Sequence, residues 1–277
     1  MKSLLVPTDF SDCAGHAVDM AIDMARVQRA ELHFLHIIDI PADWVSLVGT
    51  TETSLYADIT NRVKKHQQAL DQLVAKAEKV GLAAQKHIIY NKSYQGIIDY
   101  ADNHDIDLVV MGSHGASGFR EWLMGSNAQH VVRDSKVPVL VVKKTNKLPD
   151  IQKLLVYGDF DPEQLDAFVP VVKLAKDLQA KIDLLLLCTP SNFYDTPEAK
   201  ARLDLYESAA PALIEGKYIY NASNQEEGLA RYLEEEENTG LLTMLYNRRK
   251  SKLHYGRKQV EELINHLNTP VLSIPAN

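Results

Sequence analysis

Apolar residues fall along this chain in two alternating rhythms: short unbroken runs, and longer stretches in which they recur every three or four positions. The first run is Leu4–Pro7, and a helix capped by Ser11 follows it with Ala14, Val18, Ala21, Ile22 and Ala25 on one face. A second run covers Glu31–Ile38. The helix that begins near Leu55 carries Ile59, Val63, Leu70, Val74 and Ala77 at helical spacing until Gly81 ends it. His87–Tyr90 reads as a third strand, Tyr94–His104 as a short helix and Asp107–Met111 as a fourth strand. Ser126–Ser135 reads as the last helix and Val137–Val142 as a fifth strand. Repeated strand-helix units predict parallel strands, with right-handed crossovers that place helices on both faces of the sheet. The predicted fold class is α/β, doubly wound.

The same order recurs after residue 150. Leu154–Val156, Ile182–Leu187, Lys217–Tyr220, Gly240–Leu245 and Val271–Ile274 are its strand candidates. Asp9-Phe10 and Asp159-Phe160 follow their first strands alike, and Lys136-Val137-Pro138-Val139-Leu140 answers Asn268-Thr269-Pro270-Val271-Leu272 ahead of the last. This is an internal duplication, expected as domains 1–146 and 147–277. A short linker, Lys147-Leu148-Pro149-Asp150, favours packing of the two halves as a pseudo-twofold pair, much as identical subunits form a dimer.

Composition narrows the class without changing that picture. With 277 residues, 45% hydrophobic and 24% charged, the chain has enough apolar surface for two real cores. The apolar start is too short for a signal-peptide core and no run approaches a membrane span, so a cytoplasmic protein is expected. The two cysteines, Cys13 and Cys188, fit buried thiols better than a disulfide framework. A net charge of −7 argues against nucleic acid or an anionic membrane as partner.

Candidate chemistry concentrates at one place. Gly112, Gly115 and Gly125, with Ser126 directly after the last, lie between the run Leu108–Met111 and the helix from Ser126. Glycines let backbone N–H groups approach a ligand, and a helix start offers unpaired N–H groups, so this hand-over suits a phosphate. Neither G-x-x-x-x-G-K-[ST] nor a G-x-G-x-x-G after the first strand occurs, so a nucleotide site here would be of another kind.

Taken together, these residues resemble the universal stress protein family in its tandem, two-domain form, over essentially the whole chain. Pro7-Thr8-Asp9-Phe10-Ser11 resembles the family's opening strand end, Gly112-x2-Gly115-x9-Gly125-Ser126 the spacing of its ATP-binding members, and Pro138–Val142 its closing strand. The resemblance implies a five-stranded sheet of order 3-2-1-4-5 with ATP, with or without Mg²⁺, in the crevice between strands one and four. The general rule for open parallel sheets names the same crevice. By this resemblance Pro7, Thr8 and Asp9 would flank adenine and ribose, with Ile38 on the adenine and Met111 close by. Gly112, Gly115, Gly125, Ser126 and Asn127 would take ribose and phosphates, with His114 nearby. Asp9 and Ser126 have a plainer reading as helix caps, and His114 as a solvated loop residue.

The second half departs where it matters. After its fourth strand it reads Leu245-Tyr246-Asn247-Arg248-Arg249-Lys250, with a single glycine, Gly256, before Lys258, so loss of the site is expected there and Asp159 becomes a relic or a cap. The basic run Arg248–Lys258 reads as a solvated loop facing acids such as Glu234 to Glu237, or as a docking site for an anion. Pro41–Tyr56 and Pro190–Tyr206 occupy matching places, and their aromatics are expected to bury, with a lid or an oligomer contact as the alternative. A phosphoacceptor receiver is excluded because the third strand ends in Tyr90-Asn91-Lys92-Ser93 without an acceptor Asp. No metal motif occurs: His33 and His36, three apart on a strand, face opposite ways. By the resemblance, function is expected to be nucleotide binding linked to stress response, with slow hydrolysis or none. A scaffold working through its surfaces and a slow nucleotide hydrolase are the alternatives, and a homodimer stays open.

Overall fold

The computed structural model describes residues 1–39, 54–90, 92–113, 125–143, 148, 151–236, 239–247 and 269–276, with side chains omitted at 54–59, 246 and 247. The first half runs β1 (Ser3–Pro7), α1 (Asp12–Gln28), β2 (Glu31–Ile38), α2 (Ser54–Glu78), β3 (Ala84–Tyr90), α3 (Tyr94–Asn103), β4 (Leu108–Gly112), α4 (Ser126–Asp134) and β5 (Val139–Val142). The second runs β6 (Lys153–Tyr157), a 3-10 turn (Pro162–Gln164), α5 (Leu165–Leu178), β7 (Lys181–Cys188), α6 (Thr196–Ala209), β8 (Ile214–Asn221), α7 (Gln225–Glu235), β9 (Leu241–Asn247) and β10 (Val271–Ala276).

All ten strands join one sheet of order β3-β2-β1-β4-β5-β10-β9-β6-β7-β8. Each half has the order 3-2-1-4-5, and within each half the strands are parallel. The halves meet at an antiparallel seam, with Leu272 opposite Leu140. The carboxyl ends of the two strand sets therefore point to opposite ends of the sheet.

Central strands are covered on both sides, which is why they read as unbroken apolar runs. Leu4, Val6, Phe34, Val110, Val156 and Ile274 pack into one layer with α1, α2, α5 and α6. Leu5, Leu35, Val109, Met111 and Val141 pack into the other with α3, α4 and α7. The first layer is continuous across the seam, where α1 packs beside α5. Met20 and Met24 of α1 are buried in this layer along with Ala17 and Ala21.

The duplication extends to backbone conformations that side chains rarely adopt. Phe10 and Phe160 have φ of 63° and 48°, and the residues that end α1 and α5, Arg29 and Gln179, have φ of 54° and 55°. Gly96 and Gly228 are matched too. A Cβ at Gly96 would lie 2.9 Å from Cβ of Lys92 and one at Gly228 2.5 Å from Cβ of Ala222, so each glycine leaves room for the turn that leads into α3 or α7.

Edge strands begin earlier than their apolar signal. β3 starts at Ala84 and β8 at Ile214, because their first residues alternate with solvent and lack a continuous hydrophobic run. The expectation that the aromatics after the second strand of each half bury fails at Phe193, which is 74% exposed. Tyr194 beside it is half-buried, with the Arg202 guanidinium 4.3 Å from its ring centre. Trp44 and its neighbours, and the basic run Arg248–Lys258, lie outside the described residues.

Candidate functional site

At the carboxyl ends of β1 and β4, where the strand order reverses, the chain encloses a cavity of ≈ 490 Å³. Its walls include Pro7, Thr8, Asp9, Met111, Gly112, Gly125, Ser126 and Asn127, all residues singled out in the sequence. His114 and Gly115 lie outside the described residues. Ile38 is placed elsewhere. β2 turns Leu35 and Ile37 toward the layer of α3, and Ile38 to the opposite side, where it is 2% exposed and packs against Val63. Ile37 lines the cavity in its stead, together with His36, Asp39, Ser93 and Ile97.

One wall is the turn after β1. Thr8 N–H donates to the Leu35 carbonyl at 2.8 Å and Phe10 N–H to the Thr8 hydroxyl oxygen at 3.1 Å. Asp9 does not cap α1. Ser11 does, accepting from Ala14 N–H at 3.3 Å, while Asp9 Oδ1 accepts from the Ser11 N–H at 3.1 Å and its hydroxyl at 2.6 Å. Asp9 is exposed at the cavity mouth, held by the cap it supports. Behind this turn His36 approaches the Thr8 carbonyl through Nδ1 at 2.7 Å. Burial lowers the His36 pKa below the usual imidazole value, with the Thr8 contact and Asp9 opposing it, so the ring is neutral near pH 7.

The other wall joins β4 to α4. A Cβ at Gly112 would stand 3.0 Å from the carbonyl carbon, the carbonyl oxygen and Sγ of Cys13, so a glycine is what lets the start of α1 rest on β4. Ser113 N–H donates to the Val142 carbonyl at 3.0 Å, and its own carbonyl accepts from Gly125 N–H at 2.6 Å, which ties the end of β4 to the start of α4. α4 then starts with Gly125 as N-cap, with no side-chain cap bond and no acid in its first turn. Its first N–H groups therefore offer an anion partial positive charge at the cavity wall.

Chemically the cavity has two ends. Asp9 and Asp39 supply acceptors suited to sugar hydroxyls, Met111, Ile37 and Ile97 an apolar wall, and the start of α4 an anion cradle. Sequence reasoning missed His36, Asp39 and Ser93, because nothing in their spacing marks them; the register of β2 beside β1 brings the first two in.

The matching place in the second half is built differently. Leu245 occupies the position of Gly112, by the strand pairings Leu4 with Leu108 and Leu154 with Leu241. Where α1 starts directly after Ser11, α5 is preceded by a 3-10 turn capped by Asp161, which accepts from Glu163 N–H at 3.0 Å. Asp159 is thus not the cap; its carbonyl accepts from Arg202 at 3.1 Å, and Tyr206 donates to the Asp161 carbonyl at 2.9 Å.

Comparison with known proteins agrees with this architecture. Residues 1–143 match the universal stress protein family model. The chain is 30% identical to universal stress protein MJ0531 of Methanocaldococcus jannaschii over 53% of its own length and 84% of that protein's. It is 32% identical to universal stress protein YxiE of Bacillus subtilis over 51% and 99%, respectively. A crystal structure of a universal stress protein from Archaeoglobus fulgidus superposes with a TM-score of 0.77 at 21% identity, covering 99% of this chain and 98% of that one. With the match covering the half that holds the cavity, and with both halves repeating one fold, this chain belongs to the universal stress protein family.

Proposed function

We propose that the first half binds ATP, or a closely related adenine nucleotide, in the cavity between β1 and β4, and that binding rather than turnover is its function. The observation that carries this reading is the start of α4, whose N-cap Gly125 supplies no side-chain cap bond, on the wall of a cavity whose other wall carries Asp9 and Asp39. Gly125, Ser126 and Asn127 would hold phosphates, with Gly115 and His114 assigned to the same end from the sequence. Asp9 and Asp39 would hold ribose, and Thr8, Pro7, Ile37 and Met111 would flank the base. Mg²⁺ would arrive on the phosphate oxygens, because it takes few protein ligands.

Hydrolysis needs a base free to activate water. Asp9 is engaged by Ser11, and both ring nitrogens of His36 have partners, which favours a binder over an enzyme. The second half acts as the structural or regulatory partner of the first, with 1–146 and 147–277 as the two domains. Cys13 and Cys188 are buried free thiols, in keeping with a cytoplasmic protein. Among the described residues no helix is long and apolar enough to cross a membrane.

Calorimetric titration of ATP into wild type and Ser126→Asp tests the assignment. An acid in the first turn of α4 favours the helix but repels phosphates, so the variant should keep its thermal midpoint and bind at least about tenfold more weakly. Equal affinity in both proteins would move the phosphates elsewhere, and no heat with wild type would favour a scaffold that works without nucleotide.

A further inference from the structure

Behind the turn that presents Asp9 lies a hydrogen-bonded pair of imidazoles. His36 Nδ1 is 2.7 Å from the Thr8 carbonyl oxygen, and His36 Nε2 is 3.0 Å from His66 Nδ1. A carbonyl oxygen only accepts, so His36 carries its hydrogen on Nδ1 and its Nε2 is bare. That bare nitrogen must accept from the Nδ1–H of His66, so the geometry sets both tautomers. The Phe10 ring lies 4.6 Å from that of His36 and 5.6 Å from that of His66, closing the pair against the strained turn it supports.

This chain of bonds has room for one proton. On His66 Nε2, in the less buried of the two rings, a proton makes an imidazolium that still donates through Nδ1, and both hydrogen bonds survive. A second proton would set two N–H groups against each other across 3.0 Å. The charges around the pair come from every side. Asp9 after β1 favours the charged form of His36, Arg62 and Lys65 of α2 oppose that of His66, Asp39 stands on the cavity wall, and β3 brings uncharged Ile88 beside His36. Burial is the leading influence on both rings and keeps the free pair neutral near pH 7. A polyanion in the cavity that His36 lines shifts the balance toward the charged form.

We propose that the His36–His66 couple takes up one proton as an anionic nucleotide enters the cavity, so that nucleotide affinity rises as the surroundings acidify. This rests on the nucleotide reading above and adds a regulation to it. His36 acts as a positioning residue for the Thr8–Phe10 turn, and His66 is the port through which the proton arrives.

The experiment is calorimetric titration of ATP near pH 6 in buffers of differing ionisation enthalpy, with wild type and the double variant His36→Asn/His66→Phe, since either single variant leaves one imidazole able to take the proton. The asparagine keeps a donor toward Thr8, the phenylalanine keeps an aromatic ring against Phe10, and neither titrates. Wild type should take up about 0.3–1 proton more than the double variant, and its affinity should gain about threefold to tenfold over the variant's between pH 7.5 and 5.5. Equal uptake in both assigns the proton to the nucleotide's own phosphate and overturns the proposal while leaving nucleotide binding intact. Absence of binding by wild type overturns both. Should a variant unfold, NMR titration of the wild-type imidazoles decides: their midpoint should rise when ATP is added, and an unchanged midpoint overturns the proposal.

Discussion

Gly112 shows how one residue can serve two purposes that a sequence motif merges into one. The spacing with Gly115 and Gly125 marks it as part of a phosphate loop, yet its immediate need is steric, because Cys13 backbone and Sγ atoms stand 3.0 Å from where a Cβ would be. Gly112→Ala should therefore destabilise the fold by about 1–3 kcal/mol, read as a lower denaturant midpoint with unchanged slope. A stability equal to wild type would show that α1 can give way by a few tenths of an ångström at no cost. The second half illustrates the alternative: with Leu245 at the matching position, α5 is preceded by a 3-10 turn instead of starting directly at its cap. Ile38 teaches the opposite lesson. Resemblance placed it on the base, but strand alternation turns it to Val63 and turns Ile37 inward.

At the scale of elements, β2 carries histidines into both layers. His33 Nδ1 meets the Tyr100 hydroxyl at 2.9 Å and the His87 and Tyr100 rings lie 4.8 Å apart, so α3 is docked on β2 and β3 through aromatic contacts. Burial pushes the Tyr100 phenol up to about 12. It lowers the pKa of His33, His36, His66 and His87 below the usual 6.5. The unfolded chain therefore binds protons more readily than the folded one as pH falls through 6.5, and stability is lost on the acid side. Thermal midpoints measured between pH 7.5 and 5.5 should fall, by about 2–4 °C for each kcal/mol lost. His87→Phe should flatten that dependence, since the Nε2 atom of His87 is buried with no hydrogen-bond partner among the described residues. A midpoint that holds or rises on acidification would contradict the sign.

At the scale of the whole molecule, the seam between β5 and β10 decides what the duplication means. Val139, Leu140 and Val141 are at most 2% exposed because β10 and the neighbouring helices cover them. A fragment comprising residues 1–146 would uncover that edge, and the antiparallel seam related by a pseudo-twofold axis would be restored by a second copy. Such a fragment should elute and scatter light as a dimer, and Leu140→Lys should make it monomeric. A monomeric parent fragment would mean that the two halves are not interchangeable at the seam.

The order of strands and helices, the duplication and the glycine-lined wall of the cavity were legible in the chain because they depend on local signals: apolar period, capping residues, and glycines at a strand-helix hand-over; Pro7, Thr8, Asp9, Met111 and Asn127 came from the family resemblance. Edge-strand starts were less legible, because half-exposed residues carry no continuous apolar run. What tertiary structure alone decided concerns neighbours distant in sequence. The register of β2 against β1 brings His36 to Thr8, packing of α2 brings His66 to His36, and the close rest of α1 on β4 singles out Gly112. Hydrophobic patterning records which face of an element is buried, whereas the partner met on that face is set by how the whole sheet is ordered.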